Sequence, residues 1–252
     1  MSILPSNEDI QLLLRDKYEG DTNTDISADK ARLVAGEPLA YVIGWIPFLG
    51  LKIHLNSKPL IPRPETEHWT EELIARLQER FGKEPFSILD LCAGSGAIGL
   101  AVLAKFPSAD VSFSELMPEH VEQIKQNIEK NGLDDTRADI RISDLYAAFN
   151  GKRFDVVVSN PPYIPSERSL DESVTGFEPA EALFSGEDGL DLIRRIATET
   201  PSYLKKDGEL WLEADIENIE EARRLIHSGK ATDTEIRTDQ YGRARLVVAH
   251  YT

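Results

Sequence analysis

Four consecutive residues, Asn160-Pro161-Pro162-Tyr163, follow the apolar run Phe154 to Ser159 and have the chemistry to hold a planar nitrogen. An amide or aromatic amine delocalises its lone pair into a π system and is a poor nucleophile. An enzyme acting on one must therefore grip its N–H groups and aim the nitrogen. Asn160 offers a side-chain carbonyl as one acceptor, and the Pro161 carbonyl, whose direction the following Pro162 restricts, offers a second. Tyr163 offers a flat face on which a planar group can stack. No strong base is needed, because the nitrogen can lose its proton after it has gained the new substituent; orientation and electrostatics do the work. The plainer reading is a strand that ends in a Pro-Pro turn, with Asn160 capping the backbone.

Upstream, Asp90-Leu91-Cys92-Ala93-Gly94-Ser95-Gly96 has the form of a strand-to-helix turn. Such a turn exposes helix N–H groups, and its glycines let the backbone approach a ligand closely. The spacing is neither a dinucleotide Gly-x-Gly-x-x-Gly nor a phosphate loop ending in Gly-Lys-Ser/Thr, so adenosine without a bound polyphosphate fits better. Glu115 ends the next predicted strand, 25 residues after Asp90, where its carboxylate can accept from both ribose hydroxyls. Asp144 follows a third strand and can accept from an adenine amine while Leu145 packs against the ring. Taken singly, Glu115 and Asp144 also read as exposed carboxylates at strand ends; their common edge favours binding. Cys92 is expected to act through its backbone, since a reactive thiolate needs an electropositive setting. Turn and tetrapeptide together point to methyl transfer onto a planar nitrogen.

Strands are predicted at about 87–91, 111–115, 140–143, 154–159 and 209–214, separated by helices at about 97–105, 118–131, 190–204 and 216–227. This alternation specifies an α/β fold with a doubly wound, mostly parallel sheet. Strand-like segments at 234–238 and 244–250 flank a turn through Asp239 to Gly242 and read as a closing antiparallel hairpin, making seven strands in all. Ahead of these lie amphipathic helices over 7–18 and 27–35, the second stopped by Gly36 and Pro38. The stretch from Leu39 to Leu60 is rich in β-formers punctuated by Gly44, Pro47, Gly50 and Asn56-Ser57, and predicts a hairpin. The expected organisation is a helical appendage over 1–38, a β-hairpin linker over 39–65 and a main domain over 66–252, whose first helix runs from about Thr66 to Phe81.

The chain has 252 residues and a formal net charge of −16, from 44 acidic and 28 basic residues. A nonspecific grip on a nucleic-acid backbone would work against that charge, so free DNA or RNA is disfavoured as substrate. One cysteine excludes an internal disulfide and a cysteine zinc site. Five histidines are scattered without ligand spacing, so no metal is expected. Met1 to Pro5 lacks a basic segment leading into an apolar one, and no apolar stretch approaches membrane-spanning length. The expected setting is the cytoplasm, or an organellar matrix after loss of a transit peptide, with no membrane partner and a monomeric state.

With these residues in place, the sequence from about Gly36 onward resembles the protein-glutamine N5-methyltransferases that modify the Gly-Gly-Gln loop of peptide-chain release factors. The resemblance is carried by Gly36-Glu37-Pro38-Leu39-Ala40-Tyr41, Leu60 to Glu67, the Asp90 to Gly96 turn, Asn160 to Tyr163 and Phe177-Glu178-Pro179. The Asn-Pro-Pro-Tyr motif is shared with adenine-amine methyltransferases, whereas Arg63-Pro64-Glu65-Thr66-Glu67 at this distance upstream is far more specific. The resemblance implies a Rossmann-like methyltransferase fold, S-adenosylmethionine as donor and S-adenosylhomocysteine as product. It places the donor against Asp90, Cys92, Ala93, Gly94, Ser95, Gly96, Glu115, Asp144, Leu145 and Asn160. It places the target glutamine against Asn160, Pro161, Pro162 and Tyr163, with Arg63, Pro64 and Glu67 near the substrate loop. For that last segment a proline-stiffened turn leading into a helix N-terminus is the alternative. Only some 35 residues precede Gly36, where the family usually carries a larger helical domain that helps recognise the release factor. Glu115 stands where aspartate is commoner in the family, and Leu145 where an aromatic is frequent. Two other functions fit parts of the pattern: an exocyclic-amine methyltransferase acting on adenine in DNA or RNA, which would need a basic surface, and a noncatalytic binding protein on the same fold.

Overall fold

Residue types along the chain dictate which strands are central. Phe86–Leu91 and Phe154–Ser159 are nearly continuous apolar runs, buried along most of their length, as strands covered on both faces must be. The computed structural model describes residues 4–252. In chain order it contains α1 (Asn7–Lys17), α2 (Ser27–Val34), α3 (Leu39–Ile43), β1 (Trp45–Phe48), β2 (Leu51–His54), α4 (Pro64–Phe81), β3 (Phe86–Leu91), α5 (Ala97–Lys105), β4 (Ala109–Glu115) and α6 (Pro118–Lys130). There follow β5 (Ala138–Ile142), β6 (Phe154–Ser159), α7 (Glu172–Thr175), α8 (Asp191–Tyr203), β7 (Leu204–Glu213), α9 (Ile219–Ser228), β8 (Asp233–Thr238) and β9 (Ala244–His250).

Seven strands form one sheet in the order β5-β4-β3-β6-β7-β9-β8. β5 through β7 are parallel, and β9 runs antiparallel to both of its neighbours. The expected doubly wound sheet with a closing hairpin is therefore the observed one. The chain enters at β3, builds outward through β4 and β5, and returns to β6 on the other side of β3. A crevice opens at such a reversal, outside the carboxyl ends of the two central strands. Alternate residues of β3 face opposite ways: Phe86 and Ile88 join a core roofed by α4 and α5, while Leu89 and Leu91 join a second core with α8 and α9. α5 is apolar almost throughout and packs so closely on β4 that a Cβ on Gly99 would collide with the Phe113 ring.

Several expectations are corrected. Leu39–Ile43 is a helix, because Pro38 starts it and Gly44, at φ +96°, ends it in the left-handed region. The hairpin is confined to β1 and β2, with Phe48 and Ile53 in the core beneath α4. α9 starts at Ile219 instead of Ile216, because Asp215 Oδ1 accepts from the Glu217 N–H (2.8 Å) and draws the chain into a turn. β7 begins five residues earlier than expected, at Leu204, through an irregular pairing with β6. Leu13, Ile26, Leu33 and Val42 form a small separate core in the N-terminal helices. Residues 1–3 of the expected appendage lie outside the described residues.

Candidate active site

The register of the two central strands brings the sequence-predicted motifs together. Leu91 pairs with Ser159, and the Ser159 hydroxyl donates to the Leu91 carbonyl (3.0 Å), so the glycine turn and the tetrapeptide leave the sheet side by side. Between them lies a cleft with about 730 Å³ of empty space, partly open to solvent. Cys92, Gly94, Glu115, Asp144, Leu145, Asn160 and Pro162 line it. Asp90, Ala93, Ser95, Gly96, Pro161, Tyr163, Arg63, Pro64 and Glu67 do not.

The residues set back from the cleft build its walls. Asp90 is fully buried; its Oδ2 accepts from the Gly99 N–H (2.9 Å), and its Oδ1 has no partner. Burial raises its pKa to about 8, so the carboxyl is mostly neutral at pH 7, as an unpaired buried oxygen requires. Ser95 is buried and its carbonyl accepts from Asn127 Nδ2 (3.0 Å). Gly96 takes φ +81° at the N-cap of α5. Pro64 opens α4, with Glu65 and Glu67 in the first turn. Glu67 Oε1 accepts from the Leu49 N–H (2.6 Å) at the tip of the β1–β2 hairpin. Arg63 donates to Glu178 Oε1 (2.6 Å), while Glu178 Oε2 accepts from the Ile61 N–H (3.1 Å). The two segments that carried the resemblance, around Arg63 and Glu178, are thus joined by an ion pair.

On the cleft wall, both Glu115 oxygens are already engaged: Oε2 accepts from the Gly94 N–H (2.7 Å) and Oε1 from the Met117 N–H (2.9 Å). Each oxygen keeps a second lone pair, so the carboxylate can shape the turn and still accept from a diol. Asp144 is held by Arg195 (2.9 Å) at the rim. Withdrawal from water, reinforced by Glu115, pushes the Cys92 thiol up to about 12, so it stays protonated at neutral pH.

Asn160 Nδ2 donates to Thr66 Oγ1 (3.1 Å). Thr66 in turn donates its proton to Glu213 Oε2 (2.7 Å), which also accepts from Trp69 Nε1 (2.7 Å). The Tyr163 hydroxyl donates to Glu213 Oε1 (3.0 Å). Tyr163 is therefore anchored inward by its hydroxyl and is absent from the cleft lining, where a stacking face was expected. Sequence reading missed Glu213, although an acid ending the apolar run Leu210-Trp211-Leu212 at the ligand edge was a signal. It also missed His120, which lines the cleft with its Nδ1 2.9 Å from the Ser57 hydroxyl and is kept below its usual pKa by burial.

The lining of the cleft sets the chemistry it suits. Besides the protonated Cys92 thiol, its ionisable lining consists of Glu115, Asp144, Glu181 and His120, interspersed with Leu60, Leu116, Met117, Leu145 and Pro162. Acids and apolar faces without lysine or arginine suit a nucleoside bearing positive charge and suit a phosphorylated one poorly. S-adenosylmethionine has that chemistry, and the residues present fit it. Among the described residues no helix is long and apolar enough to cross a membrane, and no group of three or more potential metal ligands is found.

Comparison with known proteins agrees with this chemistry. The Methyltransferase small domain family matches residues 65–176. The release factor glutamine methyltransferase of Bacillus cereus is 36% identical over 221 residues, spanning 86% of this chain and 77% of that protein. Its counterpart in Bacillus anthracis is 33% identical over 241 residues, spanning 94% and 84%. In three dimensions, a methyltransferase from Pyrococcus furiosus shares the fold with a TM-score of 0.58 at 17% identity, over 89% of this chain and 98% of that one. With a third of its residues identical to these relatives over most of both lengths, the chain belongs to the release factor glutamine methyltransferase family.

Proposed function

We propose that the protein transfers a methyl group from S-adenosylmethionine to the side-chain amide nitrogen of the glutamine in the Gly-Gly-Gln motif of a peptide-chain release factor. The observation that carries this reading is the orientation of Asn160. Its amide nitrogen is committed to Thr66, which leaves Oδ1 free as an acceptor on a residue that lines the cleft. An acceptor at that point is what a primary amide demands, because its two N–H groups must be held if its weak lone pair is to be aimed.

Gly94, Glu115, Asp144 and Leu145 are the residues that would hold the donor, with Glu115 and Asp144 taking hydroxyl and amine protons and Leu145 packing on the base. When bound, the donor supplies an electrophilic methyl on a sulfonium; nitrogen–carbon bond formation accompanies carbon–sulfur bond cleavage, leaving S-adenosylhomocysteine and a proton that nitrogen loses to solvent. Asn160 Oδ1 and the Pro161 carbonyl would hold the two amide protons and stabilise the charge that nitrogen gains as it is alkylated. The acids lining the cleft favour the cationic donor over its neutral product, which assists exchange after turnover. A protein substrate also accords with the net charge of −16, which opposes a nucleic-acid backbone.

The test is transfer of labelled methyl to a purified release factor, to the same factor with its Gly-Gly-Gln glutamine replaced, and to DNA and ribosomal RNA. Label on the unaltered factor alone is expected. Label on either nucleic acid, or equal label on the glutamine variant, would overturn the assignment.

A further inference from the structure

We infer that Glu213 is a positioning residue for methyl transfer, acting through Thr66 to set which end of the Asn160 amide meets the substrate. This inference rests on the methyltransferase reading above and adds a residue that no sequence motif singled out.

The argument is one of hydrogen-bond direction. Glu213 ends β7 with 1% of its surface exposed. Burial raises its pKa, and three hydrogen bonds oppose that shift: the Thr66 hydroxyl and the Trp69 indole donate to one oxygen and the Tyr163 hydroxyl to the other, so the oxygen shared by Thr66 and Trp69 is an acceptor. Trp69 Nε1 has no other capacity, since an indole N–H is a donor only. Thr66 has one hydroxyl proton, and Glu213 takes it. The Thr66 oxygen can then only accept along its remaining approach, and Asn160 occupies that approach at 3.1 Å. Asn160 must face Thr66 with its NH2 group and hold its carbonyl away from it. If the proton of Thr66 pointed the other way, the amide would gain by flipping, and a donor would stand where the substrate nitrogen needs an acceptor. The other Glu213 oxygen holds the far end of the same tetrapeptide through Tyr163, so one carboxylate orients both ends of Asn160 to Tyr163. Thr66 and Trp69 lie one turn apart on α4, which explains why the helix must begin where Pro64 starts it.

Steady-state methylation of a release factor by full-length variants tests the chain of direction. Thr66→Val keeps the shape and removes the hydroxyl; kcat is expected to fall roughly tenfold to a hundredfold, the scale of a misaligned reacting group. The affinity for S-adenosylmethionine by calorimetry and the KM for the release factor are expected to stay within about twofold, well under the tenfold that 1.4 kcal/mol represents. Thr66→Ser restores the hydroxyl and is expected to restore kcat. Glu213→Gln must turn its oxygen toward the donor-only Trp69 and therefore keeps an acceptor for Thr66; it is expected to remain far more active than Glu213→Met, which has none. The double variant Thr66→Val with Glu213→Met is expected to be no slower than the slower single one, because both break one unit. Wild-type kcat in Thr66→Val, a Thr66→Ser as slow as Thr66→Val, or multiplied losses in the double variant would each overturn the inference. An inactive wild-type protein would instead overturn the methyltransferase reading on which it rests.

Discussion

Asn160 and Glu115 both line the cleft and should fail in opposite ways when removed. Asn160→Ala deletes an acceptor that matters as charge develops on the substrate nitrogen, while the residues assigned to the donor stay in place. Turnover should drop by about a hundredfold, with S-adenosylmethionine affinity little changed. Unchanged turnover in a single-turnover assay would remove Asn160 from its assigned role. Glu115→Ala strips the acceptor assigned to the ribose and also orphans the N–H groups of Gly94 and Met117. A hydrogen bond to a charged group contributes about 1.5–3 kcal/mol, so affinity should fall on the order of tenfold to a hundredfold. Calorimetry giving the wild-type dissociation constant would contradict the assignment. The asymmetry arises because one side chain acts on a charge that appears during reaction and the other on hydroxyls present from the start.

At the scale of elements, the β1–β2 hairpin is held against the main sheet by amide side chains. α6 places Gln123 and Asn127 one turn apart, with Asn131 a turn further at its C-cap. Asn131 accepts from the Lys52 N–H (3.0 Å) and donates to its carbonyl (2.9 Å). Asn127 does the same for His54 (2.8 and 3.2 Å), and Gln123 accepts from the Ser57 N–H (3.0 Å). The helix thereby occupies the open edge of β2, where a third strand would otherwise pair. Asn127 also donates to the Ser95 carbonyl (3.0 Å), linking hairpin, helix and glycine turn through one fully buried side chain. Asn127→Ala leaves several buried groups unpaired and should cost about 2–3 kcal/mol, read as a lower denaturation midpoint. Amide exchange at His54 should quicken more than exchange in β3. A midpoint equal to wild type would show that water replaces the side chain at no cost.

For the whole molecule, Asp90 couples stability to pH through its position beneath α5. Its folded pKa, about 8, lies above the unfolded value of 3.8, so between these values the folded chain holds a proton that the unfolded chain has lost. Stability from this group is fully present below about pH 4 and declines by up to about 1.4 kcal/mol per pH unit as pH rises toward 8. Asp90→Asn removes the titration. The stability difference between the variant and wild type, followed by chemical denaturation from pH 5 to 8, should therefore shift steadily in favour of the variant. A difference independent of pH would show that Asp90 is ionised in the fold.

The sequence by itself determined the doubly wound, mostly parallel sheet and the gathering of Cys92, Gly94, Glu115, Asp144 and Asn160 at one edge. Those follow from alternation of strand and helix, from glycines at a strand end and from the rule that ligands lie beyond the carboxyl ends of such strands, all of which are local in the chain. Local patterns do not reveal direction. Asp90 belongs to the same motif as Gly94 yet turns inward under Gly99, and Tyr163 points its hydroxyl at Glu213 instead of offering its ring to the cleft. The helix at Leu39–Ile43 was hidden because its composition suits a strand equally well. Only the tertiary structure decided which end of the Asn160 amide is free, since that depends on Glu213, 147 residues from the Thr66 it holds. Buried polar groups must all find partners, and those partners are assigned by packing across the fold.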